Sequence, residues 1–561
     1  MAPPHPVLTF LHCAGCGSGF YDPPGIADFS DLGQDGDNFW RYYVEIGGGV
    51  WETIWPILAE RRAGRRTLLD VGCGFGFAVD FWQRIHKGES VGVELASYGQ
   101  VGARMLGITV YDRLLQDIAE LKGRRFDVVY ASEVIEHVPD PVALVTLLAQ
   151  YVADDGVLVL TTPSAAFVRP ENHSPALHAA LAPGFHGFLL SAQAFGDAVR
   201  VNGFAHVDVR QFTERQMLWA SRVPLSVDTA PGNLFPGYKA YLESSVAQFD
   251  SASPVWQGLA YRLLRVNVNE GRYNDSNALG SRILDAVAET FGPYLRDPDA
   301  AIARLRGCRE LSDVGAEMPY FMPGLYFYLG AAALYAERDL ARAERLFRGA
   351  IGSTLEACRI GSIFFLDPVS LYWPAHMALA DIAFLRRDFA AGAQIFADMA
   401  ASGGTCTKEN AYAIAGPDIV EVRVPATIEQ LSAHGQVAEA QTVFDGYASY
   451  VRRRYGDAML DATAVDRALA GGAAPVPLDP LMAPCFAAVA RHREIGNRED
   501  VMEELAVVAD VATRWSAHPR YGPRMQEHAK RVRWLLPAAK SPASAIWSFD
   551  MSYTVGKAGK K

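Results

Sequence analysis

At 561 residues the chain is too long for a single hydrophobic core, and about two to three domains are expected. Half of the residues are apolar and 20% are charged, which excludes a disordered chain. The formal net charge of −11 argues against non-specific attraction to nucleic acid or to an anionic membrane. The start, MAPPHPVLTF, has no basic region followed by a long apolar run, so no signal peptide is expected. Nor does any window approach about 18 uninterrupted apolar residues, so no membrane span is expected. The seven cysteines (13, 16, 73, 308, 358, 406 and 485) are odd in number and mostly scattered, as suits reduced thiols in a cytoplasmic protein.

Residues 1–64 read as an extension ahead of the first sheet. Cys13-Ala14-Gly15-Cys16-Gly17 is a C-x-x-C-G turn. A structural zinc needs four ligands, and the sequence holds no second such pair. His5 and His12 could supplement it, and a degenerate knuckle or a start placed too late would also explain the pair. Phe39 to Tyr43 and Trp51 to Trp55 read as aromatic-rich helices, a spacing that usually marks core packing.

Thr67-Leu68-Leu69-Asp70-Val71 reads as a buried strand. Gly72-Cys73-Gly74-Phe75-Gly76 follows, then a helix pattern with Val79, Phe81 and Trp82. Glycines at alternate positions let the backbone turn tightly and let a ligand come close, and the new helix aims its amides at that ligand. A second strand, Ser90 to Val93, ends in Glu94, where an acid typically binds ribose hydroxyls. The spacing is G-x-G-x-G, not the dinucleotide G-x-G-x-x-G. With Asp70 ahead of it, the stretch resembles motif I of class I S-adenosylmethionine (SAM) methyltransferases. The resemblance implies SAM as cofactor, bound by Asp70, Gly72, Cys73, Gly74, Gly76 and Glu94. It implies that the aromatic helices before the sheet cover the SAM pocket. The C-x-x-C turn resembles half of the zinc ribbon that precedes the methyltransferase domain in some bacterial enzymes.

The sheet pattern continues with strands at Ile108 to Tyr111, Arg125 to Tyr130 and Val157 to Pro163, the last entered by a turn at Asp155-Gly156. Pro141 to Tyr151 reads as a helix with Leu144, Leu147, Leu148 and Tyr151 on its apolar face. Ser191 to Asn202 reads as the next helix, and His206 begins a late strand. Strands and helices alternate, which predicts a parallel, doubly wound Rossmann-like sheet over 65–225. In the family an acidic or amide residue near the third strand's end contacts the adenine amine, which here implies Gln116 or Asp117.

After the fourth strand comes Ala131-Ser132-Glu133-Val134-Ile135-Glu136-His137-Val138-Pro139-Asp140-Pro141. It resembles the E-x-x-E-H block of a large methyltransferase subgroup. That subgroup includes ubiquinone-biosynthesis O-methyltransferases, small-RNA 2′-O-methyltransferases and enzymes of surface-sugar and natural-product pathways. Ser132 is grouped with the cofactor-binding residues. For Glu133, Glu136 and His137 three readings stay open: His137 as general base beside the acceptor hydroxyl, a divalent-ion site, or organisation of the loop. The small-RNA relatives add a distant histidine, for which His186 is at a comparable place. The acidic total weighs against an RNA acceptor.

Residues 226–252 hold Pro231 and Pro236 and read as a linker. From 253 to 537 the pattern is helix after helix. Several hairpins share a short turn: Gly271-Arg272-Tyr273, Arg338-Asp339-Leu340, Arg387-Asp388-Phe389, Gly435-Gln436-Val437 and Gly496-Asn497-Arg498. This all-α region resembles tetratricopeptide repeats, though its spacing of roughly 48–67 residues departs from the regular period of about 34; an unrelated all-α domain is the other reading. Residues 538–561 read as a flexible basic tail. The expected function is methyl transfer from SAM to a hydroxyl of a sugar, glycan or other small molecule, with a protein partner for the helical region. The alternative is a helical scaffold whose sheet domain binds SAM without catalysis.

Overall fold

The structure is a computed structural model. It describes residues 9–22, 39–46, 49–62, 64–169, 180–212, 214–360, 370–402 and 435–455, with single positions at 177, 424, 427–428 and 431. The hairpin at 496–498, the tail at 538–561, the loop at 403–422 and His5 lie outside the described residues. Two compact units emerge, one built mainly from residues 1–44 and 48–248, the other from residues 45–47 and 249–550.

In the first unit, β1 (Thr9–His12) and β2 (Gly19–Asp22) form a hairpin around the two cysteines, and β2 also pairs with β8 (Phe188–Leu189). The main sheet has seven strands. They are β3 (Thr67–Val71), β4 (Glu89–Val93), β5 (Val110–Tyr111), β6 (Phe126–Ser132), β7 (Val152–Pro163), β9 (His206–Gln211) and β10 (Arg215–Ser221). Their spatial order is β5-β4-β3-β6-β7-β10-β9. The first five are parallel, as the alternation of strand and helix predicts. β10 departs from that pattern. It runs antiparallel to both β7 and β9, so the sheet is mixed, with one reversed strand next to the edge.

The inner strands β3, β4, β6 and β7 are largely buried on both faces, which is why they read as continuous apolar runs, whereas the edge strand β9 is exposed to half-buried. On one face Leu69, Val91, Val129, Leu158, Leu160 and Leu218 pack with Val145 and Leu148 of helix Pro141–Tyr151 and Phe195 and Val199 of helix Ala192–Arg200. On the other, Trp219 donates its indole N–H to the Pro56 carbonyl at 2.8 Å and tilts against Trp55 in helix Val50–Leu58. Asp155 and Gly156, expected as a turn, lie inside β7, which begins at Val152 with an irregular register against β6. Residues 226–252, expected as a linker, contain helix Pro231–Gln248. Its Tyr241 is fully buried and donates to Asp80 Oδ2 at 2.7 Å, within the first unit.

The second unit is helical. Helices Pro254–Asn269 and Tyr273–Phe291 form one antiparallel pair, followed by Met322–Ala332 with Leu340–Ile360, Tyr372–Leu385 with Phe389–Ser402, and then Val437–Tyr455. Each of the four turn triplets among the described residues begins with a left-handed residue: Gly271 (φ 74°), Arg338 (57°), Arg387 (64°) and Gly435 (74°). The next residue's amide then reaches back to the ending helix, as in Arg272 to Asn267, Asp388 to Ala383 and Gln436 to Leu431, each at 2.8 Å. That is the geometry of a Schellman cap.

Candidate active site

The site lies at the carboxyl ends of the parallel strands, where β3 and β6 diverge toward opposite halves of the sheet. Gly72, Gly74 and Gly76 all take positive φ (72°, 57° and 96°), so the loop after β3 is built from conformations that side chains disfavour. Gly72 and Cys73 donate to the Val93 carbonyl at 2.8 and 3.1 Å, tying the loop to the end of β4. Glu94 extends this tie. Its carboxylate accepts from the Gly74 amide at 3.0 Å and from the Ala96 amide at 2.9 Å. The acid expected to bind ribose therefore also clamps the glycine loop. Burial raises the Glu94 pKa, and the backbone amides it accepts from partly offset this.

Asp70 is buried, and its Oδ1 has no hydrogen-bond partner among the described residues. Burial, and then the nearby Glu94, push its pKa well above the usual carboxylate value. Cys73 turns its thiol into the interior, where Gly92 leaves room for the sulfur: a Cβ there would come within 2.5 Å of Sγ. Only the backbone of Cys73 is thus placed to serve a cofactor. Over Gly74 lies Tyr43, its ring centroid 5.3 Å from that of Tyr98, with Phe39 against both at 5.9 and 5.6 Å. Tyr43 comes from helix Trp40–Glu45, one of the aromatic helices expected over the pocket. Gln116 and Asp117 sit exposed on the single turn Leu115–Asp117 after β5 and make no contact with the glycine loop among the interactions described.

The candidate acceptor loop follows β6. Ser132 Oγ lies 2.8 Å from Thr161 Oγ1, and Thr161 also donates to Glu133 Oε1 at 2.8 Å. Glu133 takes a left-handed φ of 53°, unusual for a residue with a side chain. Glu136 is fully buried; Thr162 donates to its Oε2 at 3.0 Å, while Oε1 has no hydrogen-bond partner among the described residues. Burial and then the Glu133 charge hold the Glu136 pKa well above normal.

His137 Nδ1 faces the Phe185 carbonyl at 2.8 Å, and His186 Nδ1 faces the Ala180 carbonyl at 2.8 Å. A carbonyl only accepts, so both rings carry the proton on Nδ1 and the lone pair on Nε2. The rings meet edge to face at 4.7 Å. Burial lowers both pKa values, that of His137 to about 4. One ligand atom each from Glu136, His137 and His186 lies within 4.8 Å of the others. The structure thus brings His186 to His137 across a 49-residue separation, and joins it to Glu136 and His137 but not to Glu133. Two imidazole nitrogens and one carboxylate oxygen form a donor set suited to a transition ion of the zinc or manganese class. Among the described residues Cys13 and Cys16 gain no third ligand.

Sequence reading missed Thr161 and Thr162, which hold the two glutamates, and Glu52, Glu214 and Arg215, whose charges act on Glu133 or on one another. No local signal marks them, because strand threonines and isolated charges are common.

Residues 48–209 match the family model described as "Methyltransferase domain". The chain is similar to a ubiquinone biosynthesis O-methyltransferase of Neisseria meningitidis, 34% identical over 18% of this chain and 44% of that protein. It is also similar to one of Paracidovorax citrulli, 33% identical over 25% of this chain and 62% of that protein. The chain therefore spans less than two thirds of the length of these curated relatives. The chain is also similar to a solved SAM-dependent methyltransferase of Mesorhizobium loti, 19% identical over 31% of this chain and 98% of that one, with a TM-score of 0.26. The motif around Asp70, the E-x-x-E-H loop and the family match agree on a methyltransferase domain over residues 48–209.

Proposed function

We propose that the chain transfers the methyl group of SAM to a hydroxyl oxygen of a small molecule, a sugar or glycan among the acceptors considered. One observation carries this reading. A Cβ on Gly72 would lie 2.4 Å from Val134 Cγ2, so the cofactor loop and the acceptor loop abut. Such packing suits an in-line displacement, in which donor and acceptor must be held end to end. The relatives, named O-methyltransferases, support oxygen as the nucleophile.

In this reading the glycine loop and Glu94 hold the nucleoside, the Tyr43 and Tyr98 rings exclude water, and Gln116 or Asp117 meets the adenine. The acceptor oxygen donates a lone pair to the methyl carbon. The carbon–sulfur bond breaks with its electrons going to sulfur, and the hydroxyl proton must leave. His137 is neutral at pH 7 and offers Nε2 as proton acceptor, though burial makes it a weak base. In the alternative arrangement the same Nε2 is a ligand and not a base: Glu136, His137 and His186 would hold a divalent ion, which when bound lowers the pKa of a coordinated hydroxyl. The helical unit is read as a partner-binding region of a cytoplasmic enzyme.

Calorimetry of the full chain with SAM and with NAD is the first test; no SAM binding would sink the reading. Methyl-labelled SAM with a panel of nucleotide sugars and dihydroxyphenols then seeks turnover. Unchanged SAM affinity in Glu94→Ala would remove the ribose assignment.

A further inference from the structure

A charged group at the carboxyl edge of the sheet is used by neither the glycine loop nor the histidine pair. Arg215 opens β10 opposite Pro163, in a register that sets Gln216 against Thr162 and Met217 against Thr161. Those two threonines hold Glu136 and Glu133, so Arg215 stands at the end of the same row. Burial works against its charge, but the carboxylates of Glu133, Glu214 and Glu52 outweigh burial and keep the guanidinium protonated. Its field also reaches Tyr42, Tyr130 and Glu136.

These groups are incompletely satisfied. Arg215 Nε is sealed from solvent without a hydrogen-bond partner among the described residues, and so are Glu214 Oε2 and Glu136 Oε1, the last in a side chain with 0% exposure. Buried polar atoms ordinarily find partners. Here one donor and two acceptors lack them around one row of the sheet. A ligand that satisfies both kinds must donate and accept at once, as a hydroxyl does. A carboxylate or phosphate would satisfy Arg215 alone and leave both acceptors unmet. An apolar group would satisfy none of them.

We infer that Arg215, with Glu214 beside it, grips a neutral acceptor through two adjacent hydroxyl groups and so selects which hydroxyl faces the methyl donor. This rests on the methyltransferase reading. Adjacent hydroxyls occur on sugars and on dihydroxyphenols, and the test separates the two.

The full chain, saturated with S-adenosylhomocysteine, is examined by saturation-transfer NMR with methyl α-D-mannoside, methyl glucoside, catechol, cyclohexanol and methyl glucuronoside. At least one diol probe is expected to bind, cyclohexanol more weakly, and the glucuronoside no better than methyl glucoside. Arg215→Gln should weaken the diol about tenfold, the scale of one charge-assisted hydrogen bond, while calorimetry shows S-adenosylhomocysteine binding unchanged. If Arg215→Gln loses the cofactor as well, Glu214→Gln is read in its place, with the same expected loss. Binding by the mannoside alone marks a sugar acceptor, and by catechol alone an aromatic one. Absence of both diols from wild type, preference for the glucuronoside, or an undiminished diol in the variant overturns the inference. Failure of wild type to bind S-adenosylhomocysteine would instead defeat the methyltransferase reading.

Discussion

Gly102 offers a sharp test of how the cofactor loop is supported. It lies within helix Ser97–Leu106, where replacing Gly by Ala ordinarily stabilises by about 1 kcal/mol. Here a Cβ would stand 1.8 Å from the Phe75 carbonyl oxygen and 2.7 Å from its carbon. Ordinary non-bonded contacts between carbon atoms sit at about 3.5–4.0 Å, so the helix or the loop must retreat by on the order of 1.5 Å. The obstacle is backbone and cannot swing aside. Overpacking of this kind costs about 1–3 kcal/mol, which reverses the usual sign. Phe75 lies between Gly74 and Gly76, so the retreat also opens the cofactor loop. Gly102→Ala should therefore lower the melting temperature of the first unit by about 2–4 °C per kcal/mol lost, and weaken SAM by about tenfold or more. Gly99→Ala is the companion variant. Its Cβ would meet Glu94 Cγ at 2.5 Å, a side chain that can move, so SAM affinity should fall with a smaller loss of stability. The measurements are thermal unfolding and calorimetry on the same preparations. A Gly102→Ala protein as stable as wild type, with unchanged SAM affinity, would refute this account of the loop.

Asp70 should give the apoprotein a distinctive pH dependence. Its folded-state pKa is raised, so the native state binds more protons than the unfolded one. The contribution of Asp70 is then most favourable below the ordinary carboxylate value of about 4 and is lost as pH rises through the folded pKa. Asp70→Asn should flatten the fall of melting temperature with rising pH; parallel profiles would contradict the assignment. Tyr241→Phe removes a buried hydrogen bond to a carboxylate already paired with Arg84, and should cost about 1.5–3 kcal/mol in urea unfolding of the first unit. An unchanged midpoint would show that helix Pro231–Gln248 is not integral to that unit. His186→Ala should weaken Mn²⁺ or Zn²⁺ binding by about 10-fold or more in calorimetry. Equal metal affinity in the variant and wild type would exclude Glu136, His137 and His186 as an ion site.

The legible parts of this protein were those fixed by local backbone demands. A strand that must turn at once into a helix beneath a ligand needs glycine at 72, 74 and 76, and all three take positive φ. The E-x-x-E-H loop is equally compact in sequence. The helix hairpins were legible for the same reason, since each ends on a left-handed residue that the turn triplets announced. The extent of helix Pro141–Tyr151 was also read correctly, with Asp140 as its cap and proline at its first position.

What the sequence could not decide was which distant segments meet. Strand β10 is buried on both faces and carries no alternation, so nothing local marked its direction or its place between β7 and β9. That one pairing sets Arg215 opposite Pro163, and β7 in turn delivers Thr161 and Thr162 to the two glutamates. His186 reaches His137 only through a fold that closes a 49-residue separation. By itself the sequence determined the cofactor loop, because that loop is a conformational requirement on a few consecutive residues. The tertiary structure decided the acceptor side, because strand order and long-range side-chain meetings are set by packing of the whole sheet and leave no short-range trace in the chain.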